Sequence, residues 1–279
     1  MNSVIVKLGS VAYYIGLGGF LILTILIGLL LKNKSDTTRR KILIVISFMG
    51  LALHFLKLLM PKYYNDLPIS LRKITPENIC AVSTIIFPFI LLGKNKYAKD
   101  YMFYMGIISG IASIALPLEA VGRSLKEIDV IRFYVCHYLI FIVPFYMVFY
   151  GIHKLEFKRI FFFPISFMIV LALIVVNEVI LMETGFVDMR GNDFLNYNYR
   201  NSSFIFGPTD NLKEISDKYV DWAVPKPFKE VMVGEYKGAD KYTPILWLLV
   251  PSYVYLVPIT MIIYFIFVKV LRRGNYEVY

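Results

Sequence analysis

An all-α, polytopic membrane protein is the fold class this sequence predicts, and three observations carry it. Apolar residues fill 58% of the 279 positions and charged residues 18%, against about 25% charged in a soluble domain. Tyr supplies 21 residues and Phe 22, rings suited to the lipid–headgroup boundary. Seven mostly apolar stretches approach or exceed the roughly 20 residues a helix needs to cross a bilayer: 11–31, 42–60, 77–92, 101–118, 133–150, 160–182 and 244–269. Such a composition excludes a disordered, collagen-like or disulfide-framework chain and argues against a soluble enzyme.

The first stretch is too long for a cleaved signal peptide, and no small-x-small site follows it. Its Gly16-Leu17-Gly18-Gly19 run lies mid-helix with no strand before it, so it reads as a close-packing face and not a nucleotide loop. The second follows the basic run Lys32–Lys41. The third is short and carries Pro88; the fourth ends at Pro117-Leu118-Glu119. Pro144, Pro164, Pro251 and Pro258 lie in or beside the last three, where kinks are tolerated around a cavity. The chain reads as a single transmembrane domain over 1–279 with one long loop, 183–243. Within that loop Leu212, Ile215, Tyr219 and Trp222 recur at nearly helical spacing, and Asn211 with Glu214 resembles a capping box; the stretch reads either as a lid on the membrane surface or as ordinary loop packing. Asn201-Ser202-Ser203 fits a glycosylation acceptor.

Lys and Arg set the orientation. The loops 32–41, 93–100 and 151–159 with the C-terminal end carry fourteen of them, and the short segments of the other side seven. The C-terminus is therefore expected in the cytoplasm, and the N-terminus and the 183–243 loop outside. The net charge of +10 is then a topological signal that also meets anionic lipid, not a nucleic-acid footprint. His153 falls in a cytoplasmic loop and is expected to be solvated.

Ionisable residues inside spans usually face a cavity or a partner. With that topology, His54 and Lys57 lie near the outer end of the second span, Asn78 and Cys80 in the first outer turn of the third, His137 about one turn below the mouth of the fifth, and Asn177 and Glu178 near the outer end of the sixth. They share one level in the outer leaflet, with no comparable set in the cytoplasmic halves, which predicts a polar pocket open to the exterior. Cys80 and His137 are its reactive pair: a thiol attacks as thiolate, and an imidazole takes its proton. Asn78, Asn177 or Glu178 would orient the imidazole, and Lys57, His54, Asn78 or Tyr138 would donate to an oxyanion. Cys136, about 100° from His137 on the same helix, is expected to face away; a Cys80–Cys136 disulfide would abolish thiol chemistry. No metal site and no cofactor are predicted, since H-E-x-x-H and C-x-x-C are absent and His54 and His137 sit on separate spans.

Glu77-Asn78-Ile79-Cys80, then Arg132 through Tyr138 followed by Pro144, then Asn196-Tyr197-Asn198-Tyr199 leading to Phe206-Gly207-Pro208, together resemble the YwaF-like family of bacterial integral membrane proteins. That family is similar to a eukaryotic transmembrane acyltransferase that remodels ether phospholipids through a Cys–His pair, and more distantly to the androgen-induced intramembrane hydrolases. The resemblance implies Cys80 as acyl-accepting nucleophile, His137 as its base, membrane lipids as substrate, and a plasma-membrane location with the site outward. The expected activity is a lipid acyl transfer or lipid-ester hydrolysis through an acyl-thioester. The rival reading is a transporter or ligand-binding protein in which His54, Lys57, Glu119 and Glu178 hold a polar ligand.

Overall fold

The computed structural model describes residues 4–186, 203, 205–207, 224–231, 240–242 and 252–273. The Asn211–Ala223 stretch lies outside the described residues. The chain is mostly helical: α1 (Val11–Lys32), α2 (Asp36–Phe55), α3 (Pro61–Tyr64), α4 (Leu67–Ile74), α5 (Ile79–Leu92), α6 (Lys96–Ala115), α7 (Ile128–Phe149), α8 (Phe163–Glu183) and α9 (Val257–Arg273). A 3₁₀ turn over Leu56–Leu59 extends α2, another over Phe157–Phe162 leads into α8, and a π-helical turn at Ser252–Leu256 opens α9. One two-stranded antiparallel ribbon, β1 (Lys229–Val231) with β2 (Asp240–Tyr242), belongs to the long loop.

Local chemistry sets the helix starts. Ser10, Ser35, Asn78 and Asn95 each occupy an N-cap and accept a hydrogen bond from a first-turn amide, satisfying donors that a helix end leaves open. Among the described residues five segments are long and apolar enough to cross a membrane: Val11–Lys32, Asp36–Leu59, Ile128–Phe149, Phe157–Glu183 and Ser252–Lys269. The other two expected spans appear as helices of a different kind. α5 has 14 residues, about 21 Å of helix against a hydrocarbon core of about 30 Å. α6 is long enough but opens with Lys96, Lys99 and Asp100. The fifth span begins at Ile128, five residues before the apolar run, because Asp129 pairs with Arg132 and Arg123 at 2.7 Å and the helix can continue through neutralised charge.

Helix α7 is the axis of the bundle, with 72% of its apolar window buried against 17% for α1. It packs on α1, α2, α5 and α6. Gly106 and Gly110 on α6 permit a close approach: a Cβ on Gly106 would fall 2.5 Å from Pro144 Cγ and 2.6 Å from the Ile140 carbonyl, and one on Gly110 2.8 Å from Phe141 Cβ. The glycines of α1 work the same way, since a Cβ on Gly16 would strike the Tyr134 ring at 2.7 Å. Along this seam Tyr138, Tyr146 and Tyr150 donate hydroxyl hydrogens to the carbonyls of Gly16, Thr24 and Gly28, at 2.5, 2.6 and 3.0 Å. Each pair is separated by 122 residues; a constant offset means that α1 and α7 run parallel.

One end of the bundle gathers the α1–α2, α5–α6 and α7–α8 connections. There Arg40 donates to the Leu91 and Leu92 carbonyls, and the Arg39 guanidinium lies 4.3 Å over the Tyr150 ring. His153 is buried at this end, not solvated: its Nε2 lies 2.7 Å from Asp100 Oδ1, and Arg159 bonds the same carboxylate at 2.5 Å. The charge of Asp100 on α6 requires partners once buried, and the connecting loop supplies both, so this end holds a polar cluster that the sequence reading did not expect. The opposite end is formed by residues 4–6, 56–78 and 116–127, with Ile5 bridging to Ser124.

Candidate functional site

At that opposite end a small cavity of about 30 Å³ lies between α2, α5 and α7 under the α6–α7 loop. Its walls bring together five of the expected site residues: His54, Lys57, Asn78, Cys80 and His137. Geometry follows from the short α5. A helix that stops well short of crossing places its first turn, Asn78 to Cys80, inside the bundle, and the residues between Leu56 and Asn78 fill the space above it.

Each side chain is held by a specific bond. His137 lies nine residues into α7 and so about 13 Å from its start, more than two turns in, because α7 begins earlier than the apolar run. Its Nδ1 sits 2.7 Å from the Phe133 carbonyl. A carbonyl only accepts, so Nδ1 carries the hydrogen, and when the ring is neutral its lone pair lies on Nε2. His54 donates from Nε2 to the Ile74 carbonyl at 2.9 Å, and Lys57 donates to the Lys73 carbonyl at 2.8 Å. Cys80 Sγ is 3.6 Å from Ser113 Oγ. Asn78 is committed as the cap of α5: its Oδ1 accepts from the Ala81 amide at 2.8 Å.

Other expected members lie elsewhere. Asn177 donates to Thr75 Oγ1 at 3.0 Å, and Glu178 pairs with Arg72 at 3.2 Å; they tie α8 to α4 and the residue that follows it, and neither lines the cavity. They reach the right level on the wrong helix, since α8 packs on α5 and α6 and not on α7's cavity face. The Tyr138 hydroxyl is spent on the Gly16 carbonyl and is not an oxyanion donor. Cys136 does line the cavity beside His137. Both cysteines are free thiols. Arg132, Phe133, Cys136, His137 and Ile140 all border the space, spaced as one stripe over 100° wide on a helix, so two adjacent residues belong to the same face. That periodicity makes Arg132 legible, since it stands four residues before Cys136 and eight before Ile140.

Glu119 is the cavity's carboxylate and comes from the loop after α6. Burial alone would push its carboxyl up, but Lys57 and then His137, Lys73 and Arg132 nearby hold it below the usual carboxylate range. Lys57 and Arg132 thus outnumber it, and the wall has a positive excess. Arg132 is itself bound bidentately to Asp129 Oδ1 at 2.9 and 2.7 Å, and Tyr63 donates to Asp129 Oδ2 at 3.3 Å. At the rim the Ser124 amide and the Arg123 guanidinium hold the Glu127 carboxyl below its ordinary range. Among the described residues no three His, Cys, Asp or Glu side chains form a group able to hold a metal ion.

The arrangement sets a thiol, an imidazole and an ammonium group around one polar space. A comparison with known families matches residues 8–216 to the model of the TMEM164 family. No curated protein and no solved structure matches the chain.

Proposed function

The protein belongs to the TMEM164 family, whose match takes in about three quarters of its length, and on that premise we propose that it is an intramembrane lipid acyltransferase or lipid-ester hydrolase acting through Cys80 and His137. The observation that carries the reading is that these two residues, borne by separate helices, border one polar cavity. His137 Nε2 takes the Cys80 proton. The sulfur attacks the acyl carbonyl carbon, the ester C–O bond breaks, and the leaving alkoxide receives the proton from His137. The acyl-thioester on Cys80 is then resolved by the hydroxyl of a second lipid or by water, with His137 again moving the proton.

Charge developing on the acyl oxygen needs donors. The first-turn amides of Ile79 and Cys80 have no intrahelical acceptor, as at any helix start. Lys57 has three N–H donors and uses one on Lys73. His54, fixed by Ile74, and Asn78, fixed as the cap, shape the wall.

Seven crossings, with the N-terminus outside, the C-terminus cytoplasmic and the cavity facing the exterior of a bacterial plasma membrane, complete this reading; the basic loops at the Arg40 end support it. So does the placement of the polar wall at the end where α5 falls short. The kinship with the YwaF-like bacterial proteins belongs to the same proposal. Trapping tests it: a lipid-ester or maleimide probe labels Cys80 in the protein in lipid nanodiscs, and labelling falls at least about 100-fold in His137→Ala, the contribution typical of a general base. Equal labelling in both would overturn the pair.

A further inference from the structure

Hydroxyls inside the helices of this chain mostly turn back on their own backbone. Thr24 of α1, Thr84 of α5, Ser109 of α6 and Thr260 of α9 each donate to the carbonyl four residues earlier, at 2.8, 2.9, 2.7 and 2.8 Å, the ordinary back-bond of a helical Ser or Thr. Ser113, one turn after Ser109 on α6, departs from that pattern. Among the described residues its Oγ is paired with Cys80 Sγ, at 3.6 Å across the α5–α6 contact. A serine side chain is one carbon long and reaches the sulfur only where the two helices run close. Gly106 shows that they do: a Cβ there would meet the Phe87 ring of α5 at 3.4 Å. Gly106 precedes Ser113 by seven residues and Phe87 follows Cys80 by seven, so the two contacts belong to one antiparallel seam.

The rest of Cys80 is already fixed. Asn78 caps α5 and accepts from the Ala81 amide, and the Thr84 hydroxyl takes the Cys80 carbonyl. Those bonds leave open the rotation of the side chain among its staggered positions, and the Ser113 contact selects one. While the sulfur carries its proton, either partner can donate. Once His137 has taken that proton the sulfur only accepts, and the Ser113 hydrogen, not spent on the Ser109 carbonyl, is the donor at hand. A hydrogen bond to an anion is roughly twice as strong as one between neutral groups, so the contact favours the ionised sulfur over the thiol.

We infer that Ser113 is the hydrogen-bond donor that holds the Cys80 sulfur in place and stabilises it as the thiolate. The inference rests on the acyl-transfer reading only for the use to which the thiolate is put. No bond is made or broken at Ser113; His137 carries the proton throughout.

The test is the rate at which maleimide labels Cys80 in the full chain in nanodiscs, read by peptide mass so that Cys136 is counted apart. A charge-assisted hydrogen bond is worth about ten- to hundredfold in thiolate population. About half of that, on a logarithmic scale, returns as greater nucleophilicity of the sulfur that has lost its donor. Ser113→Ala is therefore expected to label about threefold to tenfold more slowly. Ser113→Thr and Ser113→Val have nearly the same outline and differ in the hydroxyl, so the Thr variant is expected to label faster than the Val variant by a similar factor, whatever the added methyl does to packing. Ser109→Ala, which loses a back-bonded hydroxyl one turn away, keeps the wild-type rate. Wild-type labelling in Ser113→Ala, a Thr variant no faster than the Val variant, or an equal loss in Ser109→Ala would overturn the donor. Acyl capture from a lipid ester is scored separately on the same proteins. Maleimide rates that follow the hydroxyl with no acyl group captured on Cys80 would keep Ser113 and discard acyl transfer; acyl capture with maleimide rates indifferent to the hydroxyl would do the reverse.

Discussion

Replacing Gly106 by alanine tests whether the α6–α7 contact sets the geometry of the cavity. The added Cβ would lie 2.5 Å from Pro144 Cγ and 2.6 Å from the Ile140 carbonyl. Neither neighbour is a flexible side-chain end: one is a ring tied to the backbone and the other is backbone. Reaching an ordinary 3.4 Å separation moves α7 by nearly 1 Å relative to α6. Overpacking of this kind costs about 1–3 kcal/mol, offset by the ~0.5–1 kcal/mol that alanine gains over glycine in a helix, so a net loss of about 0.5–2 kcal/mol is expected. Because Ile140 lies one turn below His137, the same shift misplaces the imidazole. A displacement near 1 Å costs about 100-fold in a geometry-dependent reaction. The assay pairs thermal unfolding in detergent with the labelling rate of Cys80. Gly18→Ala is the internal control: nothing lies within 4 Å of a Cβ there, so that variant is expected to gain stability and keep wild-type labelling. A Gly106→Ala protein as stable and as reactive as Gly18→Ala would refute the reasoning.

Further outcomes follow from the same contacts. Asp100→Ala leaves Arg159 and His153 buried without their carboxylate, and a loss of about 3–5 kcal/mol is expected from unfolding in detergent; a loss under about 1 kcal/mol would mean that the cluster is solvated. Tyr138→Phe deletes one interhelical hydrogen bond, worth about 0.6 kcal/mol in a membrane bundle, and should leave Cys80 labelling unchanged. Glu119 has a carboxyl held below its ordinary 4.5 by Lys57 and its neighbours. Its contribution is therefore fully present above about pH 4.5 and is lost as the pH falls through the folded value. Glu119→Gln should flatten that acid limb of the stability curve, and an unaltered limb would remove Glu119 from the network.

How much of this was legible in the sequence depends on what each residue's position was decided by. The helical class and the level of His54, Lys57, Cys80 and His137 follow from hydropathy and helix rise, which are local. Angular position is not local. Asn177 and Glu178 share the level of the cavity but stand on a helix whose neighbours only tertiary packing reveals. Glu119 enters from a loop whose path no periodicity describes. His153 looked solvated because it sits in a charged loop, and only the fold brings Asp100 beneath it. The face of α7 was readable: Arg132, Cys136 and Ile140 recur every four residues, with His137 one step aside, and the placement of Cys136 failed because one angle was weighed in place of the whole stripe.

The tyrosine seam between α1 and α7 has a consequence for how the first helix finds its place. Carbonyls recur along α1, and donors at 138, 146 and 150 are spaced by multiples of four, close to one turn. A ratchet of α1 by four residues would offer the same donors a new set of acceptors at little cost. Bulk forbids it: the slide would press Ala12 or Phe20 onto the Tyr134 ring, where only Gly16 fits, and Thr24 or Lys32 onto Tyr146, where only Gly28 fits. The polar contacts hold the helix down, and two missing side chains tell it where to stop.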